Sequence, residues 1–564
     1  MDAKLPTYTV ADLIADFLES ESVSSCFQLS GGMIAFLAEA IDKRTEIALH
    51  NVKHEQAAGF AAEGVARHTG RPSVAFATSG PGATNLITPI ASCFFDSSPV
   101  VFITGQVHSL EIRKDDRQRQ NGFQELRIAQ LVAPIVKLAL EIKSPDEVLP
   151  ALREAWTTST HGRPGPVLID IPIDIQQMET SRAQLTVAAS PKVASTVADS
   201  VRLLKDLVEG SSAPLIVAGG GIKLAGSSDS FRKFVDKAGI PVVWSLMAKD
   251  CLPTEHPLNF GMIGSYGIRC ANRALANSDL LIVFGSRLDV RQTGSSIEDF
   301  IGDRQIFRVD IDKAELRGRI SSGHPIEANL KNFLPELADS DISFDPSPQK
   351  FSFDLCMSQN PISQEQNVST ELSPQKIMEM IASLEVSAGT FVVDVGQHQM
   401  WAAQSLPLRD GQEFMTSGGL GAMGFAIPVA LGVSTVSNSR VVAIVGDGCA
   451  QISLPELETL RYLNSNLSIY VINNQQHGMV AQFQEENLSS NYVGTRAGYS
   501  APNFAEVAAA FGLRSYRIDG ADSLAQFLKA FRQETSGPIV VEIMVDQSYK
   551  ALPKLGGSTS LNKM

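Results

Sequence analysis

Gly446-Asp447-Gly448 and, after 24 intervening residues, Asn473-Asn474 are the strings in this chain whose residue types and spacing most directly suggest chemistry. An Asp carboxylate and an Asn carbonyl are hard oxygen ligands of the kind Mg2+ takes, and a Mg2+ held by so few protein groups also binds phosphate oxygens. Glycines on either side of Asp447 let a diphosphate come close to the backbone. A lone GDG would read as a turn in which Asp447 caps a helix. The second motif, at this distance, favours a metal–phosphate site. A further candidate, Glu55, lies far away in HNVKHEQAAGFAAEGVARHTG (50–70). A glutamate at a helix start is favoured by the helix dipole alone, so its meaning depends on what the GDG–NN pair holds.

Both motifs end Val/Ile-rich runs, RVVAIVGDG (440–448) and LSIYVINN (467–474), and the interval between them accommodates one helix and one strand. They are therefore expected side by side at one sheet edge. The same grammar of apolar run, Gly-rich turn and helical pattern recurs throughout. PSVAFA (72–77) enters TSGPG (78–82) and is followed by PVVFITG (99–105). PLIVAGGG (214–221), DLLIVFGS (279–286) and QIFRVDID (305–312) come next, and TFVVDVGQ (390–397) and PIVVEIMV (538–545) flank the motif strands. Such runs alternating with helices are strands buried on both faces of a parallel sheet. The expected fold is α/β, with three doubly wound parallel-sheet domains and ligands beyond the carboxyl ends of the strands. Stretches 181–200 and 339–373 lose periodicity and fill with Ser, Pro, Gln and Asp, so they read as linkers. The expected domains are 1–182, 195–340 and 372–548, with a tail at 549–564.

The chain has 564 residues, 44% apolar and 19% charged, which is a globular composition. Its net charge of −14 comes without a basic run, so it lacks the electrostatic footprint of a nucleic-acid or anionic-membrane binder. No stretch of 18 or more apolar residues predicts a membrane span, and the start carries no secretory pattern. Cys26, Cys93, Cys251, Cys270, Cys356 and Cys449 include no CxxC pair. They read as reduced thiols in a cytoplasmic enzyme.

GDG followed by NN resembles the signature of thiamine-diphosphate enzymes. DVGQHQMWAAQ (394–404), TSGGLGAMGFAIP (416–428), SGPGATN (79–85) and GFQE (122–125) resemble acetolactate (acetohydroxyacid) synthase catalytic subunits, and the likeness runs from about residue 8 to 545. That resemblance implies a carboligase that decarboxylates pyruvate and passes a two-carbon unit to a second carbonyl. It places Mg2+ on Asp447, the Asn474 side chain and the backbone carbonyl of Gln476. Gln397 and His398 would contact the diphosphate, and Met423 would prop the coenzyme in a bent shape. Gly80, Pro81, Gly421, Gly446, Gly448, Cys449, His477, Gly478 and Met479 would complete its pocket. Glu55 would bond the aminopyrimidine and favour its imino tautomer, with Phe123 and Gln124 beside the thiazolium. Because Glu55 and Asp447 lie in different domains, the resemblance implies that they meet across two chains of a homodimer or tetramer. A regulatory subunit is compatible with that resemblance but is not indicated by it.

The middle block resembles the family's FAD-binding domain, in which FAD does no net redox. Its contacting segments align with Arg163, Gly219-Gly220-Gly221, Ser245-Leu246-Met247, Gly264, Gly285-Ser286-Arg287, Asp289, Arg291 and Asp310-Ile311. Departures cluster along the substrate channel. Typical anabolic synthases read IPKD, LGMHG, RFDDR and VVQWED. This chain reads IPID (171–174), IGSYG (263–267), RLDVR (287–291) and VAQFQE (480–485), with Ile173, Ser265, Tyr266, Val290 and Phe483 at the changed positions. Arg291, the family's acceptor-carboxylate contact, is kept. An intact donor half beside a remodelled acceptor half leaves three readings open. The acceptor is a 2-keto acid, or it is a keto-sugar nucleotide as in yersiniose-type branched-sugar synthesis, or the chain is a non-catalytic cofactor-binding protein.

Overall fold

Eighteen strands gather into three six-stranded sheets, each parallel throughout, in a computed structural model that describes residues 8–115, 117–182, 197–361, 372–531 and 537–555. The first sheet runs, in spatial order, Ala48–Asn51, Ser25–Gln28, Ser73–Ala77, Val100–Gln106, Val167–Pro172 and Leu138–Glu141. The middle sheet runs His324–Glu327, Gln305–Asp310, Leu280–Phe284, Pro214–Ala218, Val242–Trp244 and Asn259–Met262. The third runs Glu413–Thr416, Ala388–Val393, Arg440–Gly446, Leu467–Asn473, Ile539–Met544 and Arg514–Ile518. Central strands such as Val100–Gln106 and Leu467–Asn473 are buried along their whole length, which is why their sequences are continuous apolar runs and not alternations.

Strand order decides where ligands can sit. The first and third sheets share one permutation, so each has a reversal point: between Ser25–Gln28 and Ser73–Ala77, and between Ala388–Val393 and Arg440–Gly446. Read from its other edge, the middle sheet has the 3-2-1-4-5-6 order of dinucleotide-binding folds, with its reversal between Pro214–Ala218 and Leu280–Phe284. At such a point the connections leave in opposite directions and open a crevice beyond the strand ends.

The first and third units are joined along a seam of two helices, Glu55–Thr69 and Ala426–Ser434. Small residues allow backbone-level contact. A Cβ on Gly64 would lie 2.4 Å from the Val429 carbonyl oxygen, and one on Gly432 would lie 2.0 Å from that of Ala61. Phe60 and Phe425 pack edge to face at 5.5 Å. Arg67 donates to the Thr416 carbonyl at 3.0 Å, and His68 Nδ1 lies 2.7 Å from Glu413. The Asp96 carboxylate accepts the backbone N–H groups of Gly418 and Gly419 at 3.1 and 2.7 Å.

Two expectations are corrected. The stretch 339–373 is not a plain linker: helix Leu330–Asp339 runs into it and helix Ser347–Gln359 lies within it. Phe353 of that second helix stacks on Phe260 of the middle unit at 4.1 Å, so one aromatic anchor holds a segment whose Ser/Pro-rich composition conceals it. In the stretch 181–200, helix Val197–Glu209 begins at its end, and 183–196 lie outside the described residues. The cysteines are not all reduced thiols: Cys270 and Cys356 form a disulfide between the middle unit and this same helix. Their separation of 86 residues gives no local spacing signal. Cys26, Cys93, Cys251 and Cys449 are free and buried.

The seam generates a stability prediction. A methyl group at position 432 has only backbone to push against, so Gly432→Ala should cost about 1–3 kcal/mol. Gly520→Ala, where a Cβ meets open space, should be near neutral. Thermal unfolding of the two variants checks this; equal midpoints would show that the helices yield freely.

Candidate active site

The reversal point of the third sheet collects residues from three strand ends. Ala388–Val393 leads into Asp394 and then Gly396, Gln397 and His398 at the start of helix Gln397–Ser405. Arg440–Gly446 leads into Asp447, first residue of a short helix, and Leu467–Asn473 leads into Asn474. Asp447 is buried, and its Oδ2 has no hydrogen-bond partner among the described residues. Burial pushes its carboxyl up to about 6, against the pull of the Tyr499 hydroxyl and of the backbone N–H groups of Gly448 and Gln476. Leaving a buried carboxylate oxygen unpaired is costly unless a cation completes it.

The two adjacent asparagines have different partners. Asn473 Nδ2 donates to Glu542 at 2.7 Å, while its Oδ1 accepts from the Gln475 backbone at 3.0 Å and so stabilises a turn in which Gln475 takes φ +53°. Asn474 donates its amide nitrogen to Gln397 Oε1 at 3.0 Å, which leaves its carbonyl oxygen for another ligand. Gln476 is fixed through its side chain, which donates to the Gln547 carbonyl at 2.9 Å and accepts from Arg496 Nε at 2.6 Å. One carboxylate, one amide oxygen and one backbone carbonyl make an all-oxygen set that could hold Mg2+. Among the described residues no group of three or more His, Cys, Asp or Glu side chains is placed to hold a metal ion, so a cation here would rest on amide and carbonyl oxygens beside the one carboxylate.

Around this set the backbone is kept bare. A Cβ on Gly446 would lie 2.8 Å from the His398 ring, and one on Gly448 would lie 2.8 Å from His477 and 3.1 Å from Met423 Cε. Burial pushes His398 down to about 3, so its imidazole is neutral, and its Nε2 has no partner among the described residues. Met423 is partly buried against the main core beside this cradle. The Cys449 thiol donates to the Val395 carbonyl at 3.1 Å, and Gly421 takes φ +71° in the loop before helix Ala426–Ser434. Helix Gly478–Asn487 begins with Gly478 and Met479. There a Cβ on Gly478 would overlap Gln397. An open pocket of about 520 Å3, lined by Asn474, Gln475, Arg496 and Val545 to Ser548, borders the turn.

Sequence reasoning missed the group that holds this loop. Asp394, fully buried, accepts backbone N–H bonds from Val395, Gly424 and Ala426 at 2.8, 3.1 and 2.8 Å. Its place beside the GQH string was the only signal. Tyr499 and Arg496 were missed too, because they reach the turn from a loop with no motif of its own.

In the first unit, Glu55 begins helix Glu55–Thr69 and is buried. Its Oε2 accepts from Asn85 Nδ2 at 2.9 Å, and Oε1 lies 3.3 Å from where a Cβ on Gly82 would sit, so it faces its own SGPGATN turn. Gly80, at φ +61°, precedes Pro81 and meets Gln124, which itself takes φ +67°. The Glu125 carboxylate accepts from the backbone of Arg113, Asn121 and Gly122 and fixes this turn. Phe123 beside it is 80% exposed.

At the middle reversal point, Gly219 and Gly221 interlock with Gly285: added Cβ atoms would lie 2.2 and 2.7 Å from its backbone. Gly220 rests against Met247, in the short turn Leu246–Ala248 that follows Ser245. Arg163 does not stand free. It bonds Ser97 at 2.8 Å and pairs with Asp312 and Glu315 at 3.2 and 2.7 Å. Ser286 donates to Gln292, Arg287 lies 3.7 Å from Asp289, and Asp289 caps helix Val290–Thr293. Asp310 accepts from the Asp312 backbone just beyond Ile311. Gly264 (φ +103°) and Ser265 pack on the Arg291 carbonyl, with Ser265 N donating to it at 2.7 Å. Tyr266 follows, half-buried, and Val290 and Phe483 are each 53% exposed. Ile173 opens the short helix Ile173–Gln177.

Comparison with known proteins covers all three units. The model of the thiamine pyrophosphate enzyme N-terminal TPP binding domain matches residues 8–131, that of the central domain matches 201–337, and that of the C-terminal TPP binding domain matches 394–543. The acetolactate synthase isozyme 1 large subunit of Escherichia coli is 33% identical over 557 residues, covering 97% of this chain and 95% of its own. The acetolactate synthase large subunit of Corynebacterium glutamicum is also 33% identical, over 98% of this chain and 89% of its own. The chloroplastic acetolactate synthase 1 of Zea mays is 34% identical, with 98% and 88% covered.

Removing the Asp394 carboxylate strands three buried N–H groups. Asp394→Ala should therefore cost about 2–3 kcal/mol and speed amide exchange at Gly424 and Ala426. Hydrogen exchange followed by mass spectrometry on the 416–428 loop reads this, and unchanged protection there would show that the loop holds itself.

Proposed function

Because the chain belongs to the thiamine pyrophosphate enzyme family, among the acetolactate synthase large subunits, we propose a division of labour over its three units for a carboligase that decarboxylates pyruvate and transfers a two-carbon unit to a second carbonyl compound. Thiamine diphosphate is its coenzyme, and when bound it supplies the nucleophilic carbon and the electron sink for decarboxylation. The observation that carries the site assignment is the unpartnered buried oxygen of Asp447 beside an Asn474 whose amide nitrogen is already used.

On this reading Asp447, Asn474 Oδ1 and the Gln476 carbonyl hold Mg2+. Gln397 and the neutral His398 take diphosphate oxygens where the Gly446 and Gly448 cradle lets them approach. Met423, partly buried beside Gly448, would pack against the coenzyme. Glu55, held by Asn85, exchanges a proton with the coenzyme's pyrimidine, and Gln124 and Phe123 line the reacting face. Within one chain Glu55 faces its own unit, and Phe123 and Phe483 are wet. Both features support an assembly in which the Glu55 half of one chain meets the Asp447 half of another, a homodimer or a tetramer of dimers. FAD, without a redox role, fits the 3-2-1-4-5-6 sheet at its reversal point. Arg163 would then have to share its two carboxylate partners. No helix among the described residues is long and apolar enough to cross a membrane, and a cytoplasmic location is part of the proposal.

Arg291 forms no ion pair among the described residues, and its neighbour is Val290 where the family pattern has an aspartate. An unpaired guanidinium supports an acceptor bearing an anionic group, which the carboxylate of a 2-keto acid and the diphosphate of a keto-sugar nucleotide both supply; the kinship with acetolactate synthase large subunits favours the 2-keto acid. Pyruvate supplied with a panel of keto acids and keto-sugar nucleotides, with products identified by mass, tests this. An acetolactate-type product is expected, a sugar adduct alone would move the acceptor to the second class, and no CO2 release would reduce the chain to a binding protein. Glu55→Gln should retain thiamine diphosphate yet lose at least about 100-fold in CO2 release, since it keeps the shape and removes the proton exchange. Near-normal turnover would remove the role. Phe483→Trp should raise use of 2-ketobutyrate over pyruvate as acceptor, read from the product ratio in mixed-substrate assays.

A further inference from the structure

The ligand turn 474–478 is gripped from outside by one loop, 492–499, which neither motif includes. His477 N donates to the Thr495 carbonyl at 3.1 Å. Arg496 lies over the Tyr492 ring at 4.0 Å, donates Nε to Gln476 Oε1 at 2.6 Å and reaches the Gln547 carbonyl at 3.3 Å. The Tyr499 ring meets the His477 ring edge to face at 4.4 Å, its hydroxyl accepts from Gln451 Nε2 at 3.2 Å, and that hydroxyl lies near enough to Asp447 to hold its carboxyl lower than burial alone would. The loop is itself tied to helix Gly478–Asn487, since Gln484 Nε2 donates to the Val493 carbonyl at 3.0 Å.

We propose that Tyr499 and Arg496 are positioning residues for the divalent-cation site: Tyr499 orients the Asp447 carboxylate so that one oxygen stays open, and Arg496 locks the Gln476 side chain so that its backbone carbonyl faces the same point. The inference rests on the ligand set assigned above. Its physical basis is that an acidic ligand with a free rotor is a poor ligand. A hydrogen bond to one oxygen fixes which oxygen is offered, and partners outside the ligand shell set cation affinity by about 10–100-fold. Gln476 poses the complementary problem. Its backbone would be the ligand, and only a tethered side chain stops the peptide from rotating.

The test uses the full-length protein, stripped with a chelator and titrated with thiamine diphosphate over a series of Mg2+ concentrations, with binding read by tryptophan fluorescence. Tyr499→Phe keeps the ring against His477 and removes only the hydroxyl. It should raise the Mg2+ needed for half-saturation by about tenfold, with excess Mg2+ restoring binding and the unfolding midpoint of the stripped protein unchanged. Arg496→Ala should act in the same direction through Gln476 and serves if the first variant folds poorly. An unchanged Mg2+ requirement in both variants, whatever their unfolding midpoints, overturns the proposal and leaves the coenzyme reading standing. A parent protein that binds no thiamine diphosphate at any Mg2+ concentration overturns the ligand set, and this inference with it.

Discussion

A buried carboxylate oxygen with no hydrogen-bond partner among the described residues, Asp447 Oδ2, is the constraint around which the third unit is organised. Burial raises the pKa of this carboxyl, a cost that a cation would offset, and several features converge there: the glycines at 446 and 448, the Asn474 amide turned toward Gln397, the neutral His398 and the bent backbone at Gln475. The sheet order explains why they can converge. Strands on opposite sides of the reversal point send their connections apart, and the crevice left between them receives three strand ends at once.

What was legible in the sequence follows from how local each signal is. Strands buried on both faces must be continuous Val/Ile runs, so RVVAIVG and LSIYVIN announced themselves, and GDG and NN marked the ends where chemistry could sit. The middle sheet was legible to the same degree. What stayed hidden is tertiary. Asp394 is one more acid in a strand-end string until the N–H groups of Gly424 and Ala426 arrive from 30 residues away. Tyr499 and Arg496 lie in a loop whose composition says only that it turns. The Cys270–Cys356 bridge and the Phe353–Phe260 stack convert a Ser/Pro-rich stretch into an attached helix, which no local periodicity could foretell. The asparagine pair read as one motif proved to be one turn-former and one potential ligand.

The middle unit shows the limit of glycine counting. Gly219, Gly221 and Gly285 are required by one another's backbone before any cofactor is considered, so a GGG string there reports close loop crossing. The strand order is the stronger pointer to a dinucleotide. The contrast with the third unit is instructive: at Gly446 and Gly448 the neighbours are ring side chains that can shift, whereas at the middle reversal point they are main chain that cannot.

The helix that carries Glu55 also carries the seam. From Glu55 to Gly64 is about 13 Å along the axis at 1.5 Å per residue, with the fulcrum at the backbone contacts of Gly64 and Gly432. A tilt of only about 4° there swings the carboxylate through about 1 Å, a displacement that can cost roughly a hundredfold in rate. The glycine-to-carbonyl contacts therefore act as a bearing machined to tight tolerance, and the accuracy of an acid at one end of the lever is underwritten by methyl-sized clearances two and a half turns away.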